Sequence, residues 1–225
     1  MAEDDWFRSG AWDENAQDLF RERLKRARDQ KWFYLRVKAR AIAAEHPEDA
    51  LTLFAQYIAA DPEHWSDGHY AIATIELARG EIDAAFAALD EAMGENGQDL
   101  GATGVMENAF LCAFYGRTDR YERALALFEP WDKGAARQFG RPFNRSFAGN
   151  YGEALMLHAL GRVDEAQLPA RAALEQQLSD RGPVAGHPAL GIPPRASEEM
   201  MRQLVWIAGL WDSKVLGDPP TRFAT

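Results

Sequence analysis

The chain has 225 residues, a formal net charge of −10, and 47% hydrophobic and 11% aromatic residues, enough apolar mass for a sizeable core and far from a disordered composition. The acidic balance works against nonspecific attraction to nucleic acid or an anionic membrane and favours a protein partner or something basic. Cys112 stands alone, which excludes an internal disulfide; the start MAEDDWF lacks a signal peptide's basic-then-apolar layout, and no apolar run reaches the ~18 residues of a membrane span. A cytoplasmic protein is therefore expected, by elimination.

From Asp13 to Asp29, Ala16, Leu19, Phe20, Leu24 and Ala27 recur at three and four, predicting an amphipathic helix with Asp13 as N-cap. Lys31 to Glu45 carries Leu35, Ala39, Ile42 and Ala43 on one face and stops at His46-Pro47. Glu48 to Ala60 follows, then a stop and restart at Asp61-Pro62. Helices from His64 to Arg79 and Ile82 to Met93 flank a turn at Gly80, with the polar exit GENGQDLGATG after them. The next pair covers Val105 to Tyr115 and Asp119 to Pro130, where Asp119 and Glu122 have capping-box spacing. A fourth pair spans Arg145 to Leu160 and Asp164 to Leu178; after a Gly/Pro-rich loop over 180–195 comes a last helix near Ser197 to Ser213. No strand pattern is evident.

One phrase recurs: HPEDA ending at Ala50, GEIDAA at Ala85, GRTDRYERA at Ala124 and GRVDEA at Ala166, with spacings of 35, 39 and 42. Ala50 with Phe54 and Pro62, Ala124 with Phe128, Ala85 between Ala73 and Ala92, and Ala154, Ala166 and Ala173 occupy positions where paired helices need small residues. Over about Lys31 to Leu178 the chain resembles the tetratricopeptide repeat family, in degenerate form: the Trp-Leu-Gly-Tyr run is largely missing and Lys38 stands where a small residue is usual. The resemblance implies a single all-α domain over 1–225, a right-handed superhelix of about four antiparallel helix hairpins (31–178) with capping helices at 13–29 and 197–213. It also implies that the first helix of each unit lines a concave surface for peptides or partner helices.

On that geometry Tyr70 and Thr74, Phe110 and Phe114, and Tyr151 point toward the groove, the alternative for Phe110 and Phe114 being plain core. In RQFGRPFNRSF, Arg137, Arg141 and Arg145 alternate with phenylalanines. Gly140 and Pro142 predict an extended first part with Asn144 capping the next helix, and the guanidinium groups form a candidate site for a carboxylate or phosphate unless they are simply solvated. The loop DRGPVAGHPALGIPPR, with His187, either folds over the last hairpin or tethers the final helix. The first forty residues hold ten Lys or Arg against eight Asp or Glu, too even a balance for a nucleic-acid surface.

The residues offer no catalytic chemistry. His64 and His69 are five apart, which does not put two ligands on one helical face, and neither a Walker loop nor a Gly-x-Ser-x-Gly elbow is present. No cofactor and no metal are expected, and the buried-looking context ENAFLCAFYG predicts a packed Cys112 thiol. The function expected is a noncatalytic protein–protein interaction module. The alternatives are an inhibitor or immunity-type antagonist of one protein, and an enzyme or small-molecule sensor with a pocket under the 180–195 loop.

Overall fold

Apolar residues at three- and four-residue steps are buried by pairing helices. In the computed structural model, which describes residues 5–94, 100–139, 144–179 and 195–220, every regular element is helical. The helices are α1 (Asp5–Arg8), α2 (Glu14–Arg26), α3 (Lys31–Ile42), α4 (Pro47–Ala60), α5 (Trp65–Arg79), α6 (Ile82–Met93), α7 (Gly101–Phe114), α8 (Tyr121–Ala126), α9 (Glu129–Phe139), α10 (Phe147–Ala159), α11 (Val163–Leu178), α12 (Glu198–Ile207) and α13 (Ser213–Leu216). They fall into two compact units, Met1–Leu100 and Gly101–Thr225, where the repeat pattern predicts one array. Among the described residues no helix is long and apolar enough to cross a membrane.

In three of its four copies the recurring phrase is a shared turn. Gly80, Gly116 and Gly161 adopt left-handed φ values of 80°, 65° and 77°. The N–H that follows each glycine reaches back five residues, Glu81 to Glu76, Arg117 to Cys112 and Arg162 to Leu157, each at 2.9 Å. A side chain is disfavoured at that φ, so glycine is what lets one helix stop and the next element begin within a few residues. The alanine after the turn is then packed: Ala50, Ala85 and Ala166 are fully buried and Ala124 nearly so.

In Met1–Leu100, α3 packs on α4, α4 on α5 and α5 on α6, with α1 against α2 and α3. Leu35, Ala39, Ile42, Phe54 and Tyr57 form the buried seam with Phe20, and each large apolar side chain buried there contributes about 1.5–3 kcal/mol. Asp13 caps α2 as expected, its carboxylate accepting from the Ala16 N–H at 2.9 Å. The acidic start hides a structural element: Phe7 of α1 and Trp12 are buried in this core. Lys38, the misfit of the repeat pattern, is 1% exposed. Its Nζ donates to the Ser9 and Ala11 carbonyls at 2.8 and 3.0 Å and lies 5.3 Å from the Trp12 ring centroid.

In Gly101–Thr225, α10 is the hub, packed on α7, α8, α11 and α12. Leu155, Met156 and Leu157 are buried, as is Ala154. Gly152 is where α10 meets the backbone of α7: a Cβ there would lie 2.5 Å from the Ala109 carbonyl carbon. Such an approach tolerates no side chain at all.

Several expectations for this unit are corrected. Helix α7 starts at Gly101, four residues before Val105. The predicted Asp119–Pro130 helix is a 3-10 turn (Thr118–Arg120) followed by α8, and its capping box does not form: Asp119 accepts from Arg117 at 3.4 Å instead. Arg137 to Phe139, expected extended, end α9, which carries Pro130 in its first turn, where the missing N–H costs nothing. Ser146 rather than Asn144 caps α10, accepting from the Gly149 N–H at 3.4 Å. Helix α12 stops at Ile207 instead of running to Ser213, because Gly209 takes φ 69° and the Leu210 N–H bonds the Val205 carbonyl at 3.0 Å, the same closure as in the hairpin turns.

Candidate functional site

The predicted site residues separate. Tyr70 and Thr74 lie on α5 of Met1–Leu100, Tyr70 half-buried and Thr74 exposed with its hydroxyl donating to the Tyr70 carbonyl at 3.0 Å. Phe114 is 49% exposed at the end of α7, and Arg137 is exposed on α9. Tyr151 is 1% exposed, with its hydroxyl donating to Gln203 Oε1 at 2.6 Å. It is therefore a core residue and presents no surface to a partner. Arg141 and His187, with most of the 180–195 loop, lie outside the described residues. Phe110 and Arg145 are brought together in one place.

That place is a groove of about 1850 Å³ in the Gly101–Thr225 unit. Its buried and half-buried lining, Met106 and Phe110 from α7 with Phe128 and, from α10, Asn150, Glu153 and Leu157, makes the floor. Phe110 stacks on Phe114 at 5.7 Å and meets the buried Tyr151 ring at 5.6 Å. The exposed lining forms the rim: Glu122 on α8, Glu129 on α9, and on α11 Asp164, Glu165, Leu168 and Glu175. Leu168 is 77% exposed, an apolar side chain raised at the edge of an apolar floor.

Arg145 sits at the inner wall with a side chain 12% exposed. Its Nη2 donates to Asp132 Oδ2 at 2.6 Å, and its guanidinium carbon lies 4.5 Å from the Phe128 ring centroid. Nε is 3.2 Å from Glu153 Oε2, within charge attraction but off the line of a hydrogen bond. Its backbone carbonyl accepts from Gln176 Nε2 at 2.8 Å and Asn150 Nδ2 at 3.2 Å, so α10, α11 and the segment before α10 are tied at one residue. Two carboxylates of the chain itself already hold this guanidinium, where the sequence offers it with Arg137 and Arg141 as a candidate site for an incoming carboxylate or phosphate.

The same cluster carries more acid than base. Burial pushes the Glu153 carboxyl above its ordinary value and Asp132 adds to the rise, opposed by Arg145 and Arg162. Over the whole described lining, seven carboxylates face four cations, a balance of −3, or −2 with Glu153 protonated. Lys133 and Arg162 are themselves engaged, by Glu129 at 2.5 Å and Glu165 at 2.6 Å.

Elsewhere, Cys112 is buried with its thiol 3.7 Å from Asn108 Oδ1. His64 turns to Asp61 at 3.1 Å and stacks on Trp32, away from any joint site with His69. Among the described residues no group of three or more His, Cys, Asp or Glu side chains is placed to hold a metal ion.

Asp132, Glu153 and Leu168 escaped sequence reasoning. Glu153 had a visible signal, a lone carboxylate inside the apolar run of α10. Leu168 lies beside Pro169, whose helical placement obscures the periodicity of α11. Compared with protein-family models, with curated proteins and with solved structures, the chain finds no match.

Proposed function

We propose that this protein is a noncatalytic docking module, a degenerate tetratricopeptide-like array of helix hairpins that receives a peptide or partner helix in the groove of its Gly101–Thr225 unit. The family reading is supported by the shared glycine turn and by the buried alanine at one position of each hairpin. The observation that carries the docking reading is the groove's size and layering. Small-molecule sites are typically about 300–1,000 Å³, whereas this groove is about 1850 Å³ with an apolar floor and an exposed, charged rim. A helix about 10 Å across and rising 1.5 Å per residue takes roughly 120 Å³ per residue, so the groove accommodates on the order of 15 residues.

A displayed random-peptide library selected on the full chain tests this. Binders that lose affinity to the Leu168→Asp and Phe110→Ala variants are expected. Binders indifferent to both changes, or none after repeated selection, refute the groove as a docking site.

A further inference from the structure

We infer that the groove's occupant is a cationic amphipathic helix, one apolar stripe flanked by lysine or arginine; this rests on the docking reading above and adds the chemistry of the partner. Helix α11 presents Asp164, Leu168, Ala172 and Glu175 to the groove at steps of four, four and three, a single stripe of that helix. The stripe is acidic at both ends and apolar in the middle. Asp164 and Glu175 are eleven residues apart, roughly 16 Å along the axis, so an apolar partner segment of two to three turns fits between them. Glu122 supplies a further carboxylate to the rim from α8.

The rim's charges are not mutually cancelled. Lys133, Arg162 and Arg145 are each held by a carboxylate of the groove itself. Asp164 and Glu175 form no ion pair among the described residues, and Glu122 feels Arg162 only at longer range than the Glu165 pair; against these three acids stands Arg195. An acidic or neutral helix would leave those carboxylates facing like charge or losing water without return. A helix with basic flanks pairs with them while its leucine-type stripe covers Phe110, Leu157 and Leu168.

Three 16-residue synthetic peptides decide the matter by fluorescence anisotropy with the full chain at constant ionic strength. One has a leucine stripe with lysine flanks, the second replaces lysine by glutamate, and the third scrambles the first so that no apolar face forms. The lysine peptide is expected to bind at least about tenfold more tightly than either of the others, since several weak rim pairs act together. The combined variant Glu122→Gln, Asp164→Asn, Glu175→Gln is expected to erase most of that preference while leaving the circular dichroism spectrum unchanged. Equal affinity for the lysine and glutamate peptides, with binding still lost in Leu168→Asp, overturns the cationic occupant and leaves the docking reading standing. Equal binding of the scrambled peptide overturns the helical occupant. Should no peptide of the three bind, the inference fails outright, and the library selection decides the broader reading separately.

Discussion

Lys38 in the Met1–Leu100 unit and Arg145 in the Gly101–Thr225 unit are both long cations drawn out of water, and they are satisfied by different means. Lys38 meets two backbone carbonyls and an aromatic face, with no carboxylate among the described residues in its hydrogen-bond shell. It works as a fastener that holds the segment after α1 on α3. Arg145 meets Asp132 and Glu153, which over-compensate one positive charge and leave the wall of the groove acidic. Neutral acceptors therefore let the first unit close over its cation, whereas charged acceptors leave the second with a wall whose protonation state depends on pH. Burial opposes the charged form at both sites, holding the Lys38 amine below its ordinary value and the Glu153 carboxyl above it.

The contrast can be broken most forcefully at Arg145. Arg145→Met strips the cation from two partly buried carboxylates, and a loss of about 3–4 kcal/mol is expected in urea unfolding. A loss under 1 kcal/mol would mean that the cluster is solvated and not structural. Lys38→Met keeps the aliphatic stem but orphans two buried carbonyls, with an expected cost of about 3 kcal/mol. Guanidinium unfolding followed by tryptophan fluorescence reads it, since Trp12 lies against the amine and Trp6 packs on the same core. Gly152→Ala forces α10 off α7 and is expected to cost about 2–3 kcal/mol; an unchanged midpoint would show that the two helices can part without penalty.

The pH arm sharpens the comparison with a smaller effect. Because folding raises the Glu153 value above the ordinary 4.5, the folded state binds a proton more tightly than the unfolded chain. The resulting stabilisation is complete below that ordinary value and is lost as pH rises through the raised one. Melting temperature is expected to fall over that window in the native sequence and to stay flatter in Glu153→Gln. For Lys38 the slope reverses: its lowered value means that the unfolded chain holds the proton more tightly, so stability is regained as pH climbs toward 10.5. The difference between the native protein and Lys38→Met across the alkaline range measures it. Smallest of all is Leu168→Asp, which removes an apolar group that is 77% exposed and is expected to leave the melting temperature unchanged while abolishing peptide binding.

Most of the helical pattern was legible in order. The turn at Gly80 was predicted from one glycine between two periodic runs, and the same turn at Gly161 follows from the recurring phrase. The failures cluster where tertiary contacts overrule local signals. Pro130 looked like an end and is a beginning; Asp119 had capping-box spacing yet was taken by Arg117. Lys38 reads as a misfit of the repeat pattern, but its partners lie 29 and 27 residues away, beyond the reach of any periodicity. The candidate site is half visible in the sequence: the pattern points to Phe110 and Arg145, while Tyr151 reads as a groove residue and is core.

The sequence by itself determined that the chain would pair helices and where most of them turn, because glycine, proline and the spacing of small residues act through the backbone nearest to them. Which faces stay open, and with what charge, was decided by tertiary structure alone. Asp132 and Arg145, thirteen residues apart, meet through helix packing, and that meeting puts Arg145 into the inner wall of an acidic groove.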